Sequence, residues 1–590
     1  MINLIIGSYK ILDKKFKVSF LFVIILQIFS SLLEVLAVFS IAPLVSVISN
    51  NHLVHTNIYL NKIYNLLLFE NLNNFIIFLG LSSFFVMLLS SSFLMITNFL
   101  LIKFSHNIGH FLSCSLYENY LLKDWLFFSR NASYSLSKKI NTDVGVIVSN
   151  VIIPLLFFFS KLFFVVFIFI SIIFINVKVA VSSIIIFLFF YSIFYIIIKK
   201  RLKLNSKLIS ESSEKKYKLI NEGFDGIKDI IIANANQFFI NRFNKVNQII
   251  YSKSGNIVFL SQLPRNILEV LAIGVILFVL IFLLSKNQGE VTQILPLLSI
   301  YALSGLKLIP SIQLIFNNFS LIKSGSYSFY EIYDDILSSK NKISQEVNHK
   351  QDIIFKNIIS IKKLNFSYTE EVEVLNNLSI EIKKNQTIGI IGPNGSGKST
   401  ILDILLGLII TEEGCVYVDD KKITKINVNN WQKKIGYVSQ NFHLFEGSII
   451  NNIAFGENFD QINFDKINLA IKYSGLDELI NKLPKGLKTN INEKGLNLSG
   501  GQKQKINIAR CIYRDPDILI LDEATNALDY ESENIFLNMV KKFYNKKTII
   551  FVTHKIELLK DCDVIFYIKN GKVALKGPYS EIVSYITSVK

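Results

Sequence analysis

The chain has 590 residues, of which 51% are hydrophobic and 18% are charged, and its mean hydropathy is +0.42. These values exclude a disordered chain and argue against a wholly soluble enzyme. The net charge of +17 is compatible with nucleic-acid binding, but the basic cytoplasmic loops of a membrane protein produce a similar excess. The four cysteines follow no metal-binding spacing and are too few for a disulfide framework, so we expect reduced thiols.

Six long apolar segments succeed one another in the first half of the chain. Residues 71–102, for example, carry no charged side chain, and about 20 apolar residues suffice to cross a bilayer. The first segment is too long for a signal peptide and has no cleavage site. We therefore predict an all-α membrane domain over residues 1–325. Its six transmembrane helices are expected at about 17–48, 74–102, 146–175, 179–198, 263–285 and 291–322.

The basic residues predict the orientation of these helices. Lysines and arginines are frequent before the first span, in the loop after the second and in the loop after the fourth. The opposite side offers only Lys62, Lys178 and Lys286. The positive-inside rule then places the N-terminus and everything after span six in the cytoplasm. We expect a multi-pass protein of a bacterial inner (plasma) membrane, in which the positive charge reflects topology and no nucleic acid is bound.

The first external segment, residues 50–73, mixes apolar side chains such as Leu53, Ile58 and Leu60 with Asn, Lys and Glu. This pattern is typical of an amphipathic helix lying in the outer membrane interface. An ordinary connecting helix would show the same pattern, so the sequence leaves both interpretations open.

A phosphate-binding motif dominates the second half. We interpret the polar residues 326–354 as a linker, and residues 355–590 alternate strand and helix patterns, as in an α/β ATPase domain. The run 388–391 is a buried-strand pattern that leads into residues 392–400, Gly-Pro-Asn-Gly-Ser-Gly-Lys-Ser-Thr. This is a phosphate loop, whose backbone N–H groups and following helix N-terminus bind phosphate oxygens. Lys398 supplies a cation to the phosphates, and Ser399 offers a hydroxyl to Mg²⁺.

Two acids end a second buried-strand pattern, residues 518–521. Asp522 is placed to hold Mg²⁺ through water, and Glu523 to polarise the water that attacks the γ-phosphate. The sequence thus predicts an ATP hydrolase that uses ATP and Mg²⁺.

The segment Leu498–Gln502, Leu-Ser-Gly-Gly-Gln, together with the phosphate loop and the two strand acids, resembles the signature of ATP-binding cassette (ABC) proteins. The resemblance implies further roles. Tyr368 stacks on adenine, Gln440 senses Mg²⁺, Asp529 lies in a loop crossing a dimer interface, and His554 contacts the γ-phosphate. The implied nucleotide contacts are Tyr368, Gly392, Asn394, Gly395, Ser396, Gly397, Lys398, Ser399, Thr400, Gln440, Ser499, Gly500, Gly501, Gln502 and Asp529. The implied metal contacts are Ser399, Gln440 and Asp522, and the implied catalytic groups are Glu523, His554 and Lys398.

The family resemblance also implies a homodimer, because ABC proteins sandwich ATP between the phosphate loop of one cassette and the signature of another. The order of membrane half and cassette resembles ABC exporters. Residues 221–229 look like a coupling helix that reaches the partner cassette, and the segment around Trp125–Ser137 is expected to form the first coupling region.

The whole chain most resembles bacterial flippases of lipid-linked oligosaccharides. Glu34 and Pro43, Pro264 with Arg265 and Glu269, and Lys307 with Pro310 carry this likeness. It implies a polyprenyl-pyrophosphate glycan as cargo and a cationic path formed by Arg265, Lys307 and Lys161. The pairing of Lys161 with Glu34 or Glu269, and snorkelling of Arg265 to headgroups, are the structural alternatives. Two positions where such flippases carry arginines are Ser90 and Leu314 here. An exporter of lipid A-type lipid, peptide or hydrophobic drug, and a membrane ATPase that acts as a sensor, are the alternative functions.

Overall fold

The computed structural model describes most of the chain. The residues outside the described part are 1, 52, 176, 264–268, 271–272, 275–276, 278–280, 282–290, 343–351, 370–371, 412–415, 441, 493–497 and 590. The described chain divides into two compact units. The first comprises Met1–Lys123 and Phe127–Gln345, and the second comprises Asp124–Leu126 and Glu346–Lys590.

The described part of the first unit consists of helices and the turns between them. Its helices are Ile2–Ile11, Lys14–Phe39, Ile41–Ser49, Leu53–Thr56, Ile58–Leu66, Leu72–Leu121, Trp125–Arg130 (whose first two residues count with the second unit), Ser133–Lys138, Val144–Ile147, Ile153–Ile175, Val177–Asp225, Ile227–Ile232, Asn236–Gln262 and Val291–Lys342, with π-helical turns at Lys139–Asp143 and Val148–Ile152. The external segment is thus helical, as both of its interpretations require.

Four stretches in the described residues are long and apolar enough to cross a membrane. They are Lys14–Ser49, Leu72–Leu121, Ser133–Ile175 and Ser299–Ser338, and they contain the predicted spans one, two and three and most of span six. The predicted fourth span lies inside the helix Val177–Asp225. Most of the predicted fifth span, 263–285, lies outside the described residues.

The predicted linker at 326–354 is helical as far as Lys342. The helix that contains span six continues without a break to Lys342. The change to charged residues after position 325 therefore marks a helix that extends beyond its apolar part and not the end of the helix. The composition of a segment reflects whether its side chains face an apolar or a polar environment. A helix can continue from one environment into the other.

A buried ionic cluster ties the polar ends of these long helices together. Lys138, which is 2% exposed, contacts Asp143 at 2.9 Å and Glu331 at 2.6 Å, and its ammonium donates to Ser210. Because an unpaired buried charge is costly, each partner is needed to keep Lys138 inside the protein. The cluster joins the helix that starts at Ser133 to the helices Val177–Asp225 and Val291–Lys342.

Glycines set the close packing beside the π-helical turns. A Cβ atom at Gly109 would lie 2.7 Å from a methyl of Val148, and one at Gly325 would lie 2.7 Å from a methyl of Val151. Both distances are shorter than side chains tolerate. The turn Val148–Ile152 is therefore packed between two helices at positions where only glycine fits.

The second unit is built around a six-stranded sheet, with two smaller sheets beside it. The strands of the whole unit are β1 (Ile358–Thr369), β2 (Val372–Lys383), β3 (Thr387–Ile391), β4 (Val416–Val418), β5 (Lys421–Lys422), β6 (Ile435–Val438), β7 (Gly447–Ser448), β8 (Asn490–Ile491), β9 (Ile518–Asp522), β10 (Thr548–Val552), β11 (Val564–Lys569) and β12 (Lys572–Gly577). The main sheet has the order β12-β11-β3-β10-β9-β6 and is parallel except for β12. The antiparallel sheet β2-β1-β4-β5 forms a second layer.

Helices complete this unit. They are Lys398–Leu405, Val428–Gln432, Ile449–Ile453, Phe464–Ser474, Asp477–Lys482, Gly500–Tyr513, Tyr530–Lys541 and Tyr579–Val589, with 3₁₀ turns at Phe459–Gln461, Gly486–Lys488 and Ile556–Leu559. The strands β3 and β10 are buried along their whole length, as continuous apolar runs in a parallel sheet require. Because β3, β10 and β9 are neighbours, their carboxyl ends bring residues 392, 553 and 523 to the same edge.

Candidate functional site

The phosphate loop follows the carboxyl end of β3. Gly397 has φ of +100° and lies just before the helix Lys398–Leu405, so the loop turns sharply into the helix N-terminus. A Cβ atom at Gly392 would overlap the carbonyl oxygen of Ile568. The sequence requires glycine at both positions, and the loop presents its backbone N–H groups at the helix start, where anions bind.

Lys398 is buried inside the loop. Its ammonium donates to the carbonyl oxygens of Gly392 at 2.8 Å and Pro393 at 2.9 Å. Burial lowers the pKa of Lys398, and the negative charges of Glu523 and Asp522 partly oppose that shift. The Ser396 hydroxyl is buried and has no hydrogen-bond partner within the described protein. A buried cation and an orphaned hydroxyl in one loop fit a bound polyphosphate, and the exposed hydroxyl-bearing residue Ser399 fits the Mg²⁺ that accompanies it.

Three side chains surround the proposed catalytic base, Glu523. The Gln440 amide donates to its carboxylate at 2.5 Å, and the Asn526 amide donates at 2.6 Å. The His554 Nε2 atom lies 3.1 Å from the other carboxylate oxygen. Glu523 itself has φ of +49°, which is uncommon for a residue with a side chain. The structure thus brings together Glu523, Gln440 and His554, which are far apart in the sequence.

Asp522, the proposed magnesium acid, is held by a tyrosine. The Tyr437 hydroxyl donates to Asp522 Oδ2 at 3.1 Å. Burial raises the pKa of Asp522, and the hydrogen bond from Tyr437 opposes this shift. Since Tyr437 occupies one carboxylate oxygen, the other oxygen is left for a metal-bound water.

The signature forms a helix N-terminus. Ser499 caps the helix Gly500–Tyr513 in a capping box, in which its hydroxyl accepts from the Gln502 backbone and the Gln502 side chain accepts from the Ser499 backbone. Ser499 and Gly500 are exposed. The serine hydroxyl and the glycine N–H groups therefore stand at the surface of the cassette, as an anion supplied from outside would require.

The remaining nucleotide contacts lie on different elements. Tyr368 is half-buried near the end of β1, and its hydroxyl is 3.4 Å from that of Thr400. Asn394 and Gly395 are exposed in the phosphate loop. Asp529 caps the helix Tyr530–Lys541, and hydrogen bonds from Ser532 lower the pKa of its carboxyl group. The nucleotide roles of these residues stay predictions.

Sequence reasoning missed Tyr437, Asn526 and Asp403. Asp403 lies on the helix that follows the phosphate loop, and burial together with the charge of Asp522 raises its pKa to about 6. None of the three belongs to a motif used in the prediction. Tyr437 comes three residues before Gln440 and Asn526 three residues after Glu523, and this proximity was the available signal.

The three residues of the predicted cationic path, Lys161, Lys307 and Arg265, differ in their surroundings or in whether the structure describes them. Lys161 pairs with Glu34 at 3.1 Å, and both side chains are nearly buried, so the structural alternative describes its contact. Lys307 is exposed on the helix that contains span six. Arg265 lies outside the described residues.

The predicted first coupling region, around Trp125–Ser137, contains two six-residue helices, Trp125–Arg130 and Ser133–Lys138. The predicted second region, 221–229, covers the end of the 49-residue helix Val177–Asp225 and the start of a short helix. That short helix, Ile227–Ile232, precedes the helix Asn236–Gln262. Its surroundings expose apolar side chains, among them Phe224, which is 75% exposed. Exposed aromatic and aliphatic groups of this kind mark a contact surface.

Comparison with known proteins identifies both halves. A family model described as ABC transporter matches residues 375–526, and one described as ABC transporter transmembrane region matches residues 15–305. These matches confirm the predicted order of a helical membrane domain and an α/β ATPase domain. They also confirm, at the level of the family, the prediction of an ABC-type ATP hydrolase.

Individual relatives agree with these matches. An export ATP-binding/permease protein of Rickettsia bellii is 38% identical over 240 residues, which are 40% of this chain and 41% of the relative. The ATP-binding cassette sub-family B member 5 of Mus musculus is 39% identical over 228 residues, 38% of this chain and 18% of the relative. A solved structure of a bacterial Atm1-family ABC exporter with ATP bound has a TM-score of 0.77 at 19% identity, with 97% of both chains covered. The curated relatives are thus matched over less than half of their length, and the solved structure shares the fold.

Proposed function

We propose that this chain, which matches ABC transporter models in both halves and shares the fold of an ABC exporter, acts as a homodimer. It uses ATP hydrolysis to flip a lipid-linked oligosaccharide from the inner to the outer leaflet of a bacterial inner membrane. The observation that carries the cargo assignment is the exposed Lys307 on the helix of span six.

ATP hydrolysis is assigned to the residues around Glu523. The carboxylate accepts a proton from water, whose oxygen attacks the γ-phosphorus while the bond to the β–γ bridging oxygen breaks. Lys398 neutralises negative charge on the phosphates, and His554 contacts the γ-phosphate. Ser399, Gln440 and, through water, Asp522 would hold Mg²⁺, which would add to the charge neutralisation.

The homodimer follows from the exposed signature. The anion site formed by Ser499 and Gly500 faces outward from its own cassette, and the phosphate loop of a second copy supplies the nucleotide to it. Since Glu523 and the signature are both intact, both composite sites of a homodimer are competent. The exposed apolar residues next to the helix Ile227–Ile232 give the second copy a surface to contact.

Transport is proposed to follow alternating access. Closure of the two cassettes on ATP turns the membrane cavity outward, and hydrolysis at Glu523 allows them to separate. The coupling helices Trp125–Arg130 and Ile227–Ile232 transmit the movement. The short helix Ile227–Ile232 lies between the long helices Val177–Asp225 and Asn236–Gln262. A long helix can carry a displacement at its end as a rigid body.

The cargo assignment depends on charge. A polyprenyl-pyrophosphate head is anionic, and an ionisable residue inside a membrane span defaults to a functional role. Lys161 is neutralised by Glu34, whereas no described residue forms a salt bridge with Lys307. Lys307 is therefore the described cation of the path that remains available to a pyrophosphate.

A second function is export of lipid A-type lipid, peptide or hydrophobic drug. The observation that favours it is that few unpaired cationic side chains besides Lys307 are available along the predicted path. Ser90 and Leu314 occupy positions where the flippases carry arginines, and Lys161 is already paired. Of these cargoes, a hydrophobic drug or an uncharged peptide suits a path with few cations better than a pyrophosphate does, whereas a phosphorylated lipid gains nothing from it. The two functions differ in their dependence on Lys307.

The test is translocation in proteoliposomes. Labelled polyprenyl-pyrophosphate oligosaccharide is incorporated, ATP is added, and access of a glycan-modifying enzyme is scored from each side. We expect an ATP-dependent change that is absent with Glu523→Gln and strongly reduced with Lys307→Ala. Lys323→Ala, on the same helix but sixteen residues further on, is the matched control and should transport normally. An active ATPase that does not move the glycan would refute the flippase assignment and favour the second function.

A further inference from the structure

The helix that starts at the signature, Gly500–Tyr513, also touches the two loops that carry proposed active-site groups. The Gln504 side-chain amide donates a hydrogen bond to the Ala524 carbonyl oxygen at 3.0 Å. Three residues further along the helix, the Asn507 amide donates to the Ser439 carbonyl oxygen at 3.3 Å. Gln504 is 2% exposed and Asn507 is 4% exposed. Because residues three apart are neighbours on a helix surface, the two hydrogen bonds leave from one side of the helix.

Each accepting carbonyl belongs to a residue beside an active-site residue. Ala524 directly follows Glu523, and Ser439 directly precedes Gln440. The side chains of Glu523 and Gln440 are joined by the 2.5 Å hydrogen bond already described. The contacts therefore form a closed ring, which runs from the helix to the loop after β9, on to the loop after β6, and back to the helix.

A third side chain of the same helix holds the loop after β6 further along. The Arg510 guanidinium donates to the carbonyl oxygens of Asn452 at 2.8 Å and His443 at 3.1 Å. It also donates to the side-chain oxygen of Asn452 at 3.1 Å. The chain is thus attached to the signature helix both just before and shortly after Gln440.

We propose that Gln504 and Asn507 are positioning residues of the ATPase, which hold Glu523 and Gln440 in the contact that hydrolysis requires. This inference rests on the proposed roles of Glu523 and Gln440 and does not depend on the cargo. It gives the signature helix a second task besides the anion site at its N-terminus. The helix is also the scaffold for the catalytic pair of its own cassette.

The positioning effect has a physical basis in burial. A buried carbonyl that loses its donor is left unpaired, and this loss costs free energy that a shift of the loop can reduce. Glu523 has φ of +49°, a conformation that its surroundings must maintain. A misplacement of about 1 Å can slow a reaction about 100-fold, so a fraction of that shift is measurable as a change in rate.

The first test removes each donor while keeping a side chain of similar size. Gln504→Met and Asn507→Leu are prepared in the full-length protein in lipid nanodiscs, and phosphate release is measured against ATP concentration. We expect kcat to fall about fivefold in each variant, the effect of losing one uncharged hydrogen bond. The KM for ATP should stay the same, because neither side chain is assigned to the nucleotide. An unaltered kcat in both variants, or a change confined to KM, would overturn the proposal.

Tyr513→Phe is the matched control. It lies on the same helix and removes a hydroxyl that donates to the Glu457 carboxylate and accepts from the Asn463 backbone. Neither of these partners adjoins Glu523 or Gln440 in the chain. Thermal unfolding of all variants is recorded first, and Tyr513→Phe should keep the kcat of the parent protein. An equal fall of kcat in the control would trace the effect to a weakened fold and overturn the proposal.

The double variant tests whether the contacts act as a ring. Opening a ring at a second place adds little, so Gln504→Met with Asn507→Leu should lower kcat about fivefold, whereas independent effects would multiply to roughly 25-fold. A fall close to that product would overturn the shared positioning role. The assay contains no lipid-linked glycan, so failure of the flippase assignment leaves its result unchanged. Failure of the proposed base is recognised separately, by rapid turnover in Glu523→Gln.

Discussion

The Gln440 amide donates a 2.5 Å hydrogen bond to the carboxylate of Glu523. Gln440 follows β6 and Glu523 follows β9, and these strands are neighbours in the parallel sheet. The residue proposed to sense the metal thus touches the residue proposed to polarise water. A movement of Gln440 would alter this hydrogen bond to the proposed catalytic base.

Replacing Glu523 by Gln should stop turnover without stopping nucleotide binding. The amide has nearly the same shape but cannot accept a proton, and a general base typically contributes 10²–10⁴-fold. We expect ATPase activity to fall at least about 100-fold, while ATP binding persists and the closed dimer accumulates. Steady-state phosphate release and size-exclusion chromatography with ATP measure the two effects. Rapid turnover by this variant would mean that another group is the base.

Asn526→Ala should lower the rate of hydrolysis without changing ATP affinity. The Asn526 amide donates to the same Glu523 oxygen as Gln440, at 2.6 Å. Without it the carboxylate samples more orientations, and we expect kcat to fall about tenfold, the effect of losing roughly one hydrogen bond to a charged group. The exposed neighbour Glu531→Ala serves as the control. A change in KM with an unaltered kcat would contradict a positioning role.

Cysteine labelling tests the packing of the cassette. Burial raises the pKa of Cys511 to about 12 and that of Cys562 to about 12, whereas Cys114 is exposed. Because the thiolate is the reactive form, iodoacetamide at pH 8 should modify Cys114 and leave Cys511 and Cys562 intact until the protein is unfolded. Peptide mass spectrometry assigns each site.

The same thiols predict the sign of a pH effect. Unfolded cysteines ionise near pH 8.5, while the folded ones stay neutral up to about 12. The unfolded state therefore loses protons first, and stability falls as pH rises between these values. Unfolding midpoints of the parent protein and of Cys511→Ala, recorded from pH 8 to 10, should converge. Rapid native labelling of Cys511 would show that the packing is wrong.

The sequence was informative where function depends on contiguous residues. The phosphate loop, the signature and the pair Asp522–Glu523 are local patterns, and their conformations follow from glycine spacing and strand-to-helix order. The contacts of Tyr437 and Asn526 are tertiary, and no spacing rule in one sequence specifies them. The same holds for Lys138, whose ion-pair partner Glu331 is distant in the chain.

Two features of the fold were not foreseen from the sequence. The linker was assigned from polarity, but the helix to Lys342 keeps an apolar stripe that includes the buried Phe329 and Ile336. The π-helical turn Val148–Ile152 was not foreseen either, and in the structure it packs against Gly109 and Gly325. Tertiary packing decides both features.

Variants of the pair Glu34–Lys161 distinguish a structural role of Lys161 from a role in transport. The two groups lie 3.1 Å apart with side chains 11% and 12% exposed, and removing one partner of such a pair costs about 3–5 kcal/mol. We expect Lys161→Met alone and Glu34→Gln alone to unfold at lower temperature. The double variant Glu34→Gln with Lys161→Met leaves no unpaired charge and should recover stability and transport. Lys307→Met should show the reverse pattern, normal stability with impaired transport, because no described group pairs with it. A stable double variant that fails to transport would assign Lys161 to the cargo path.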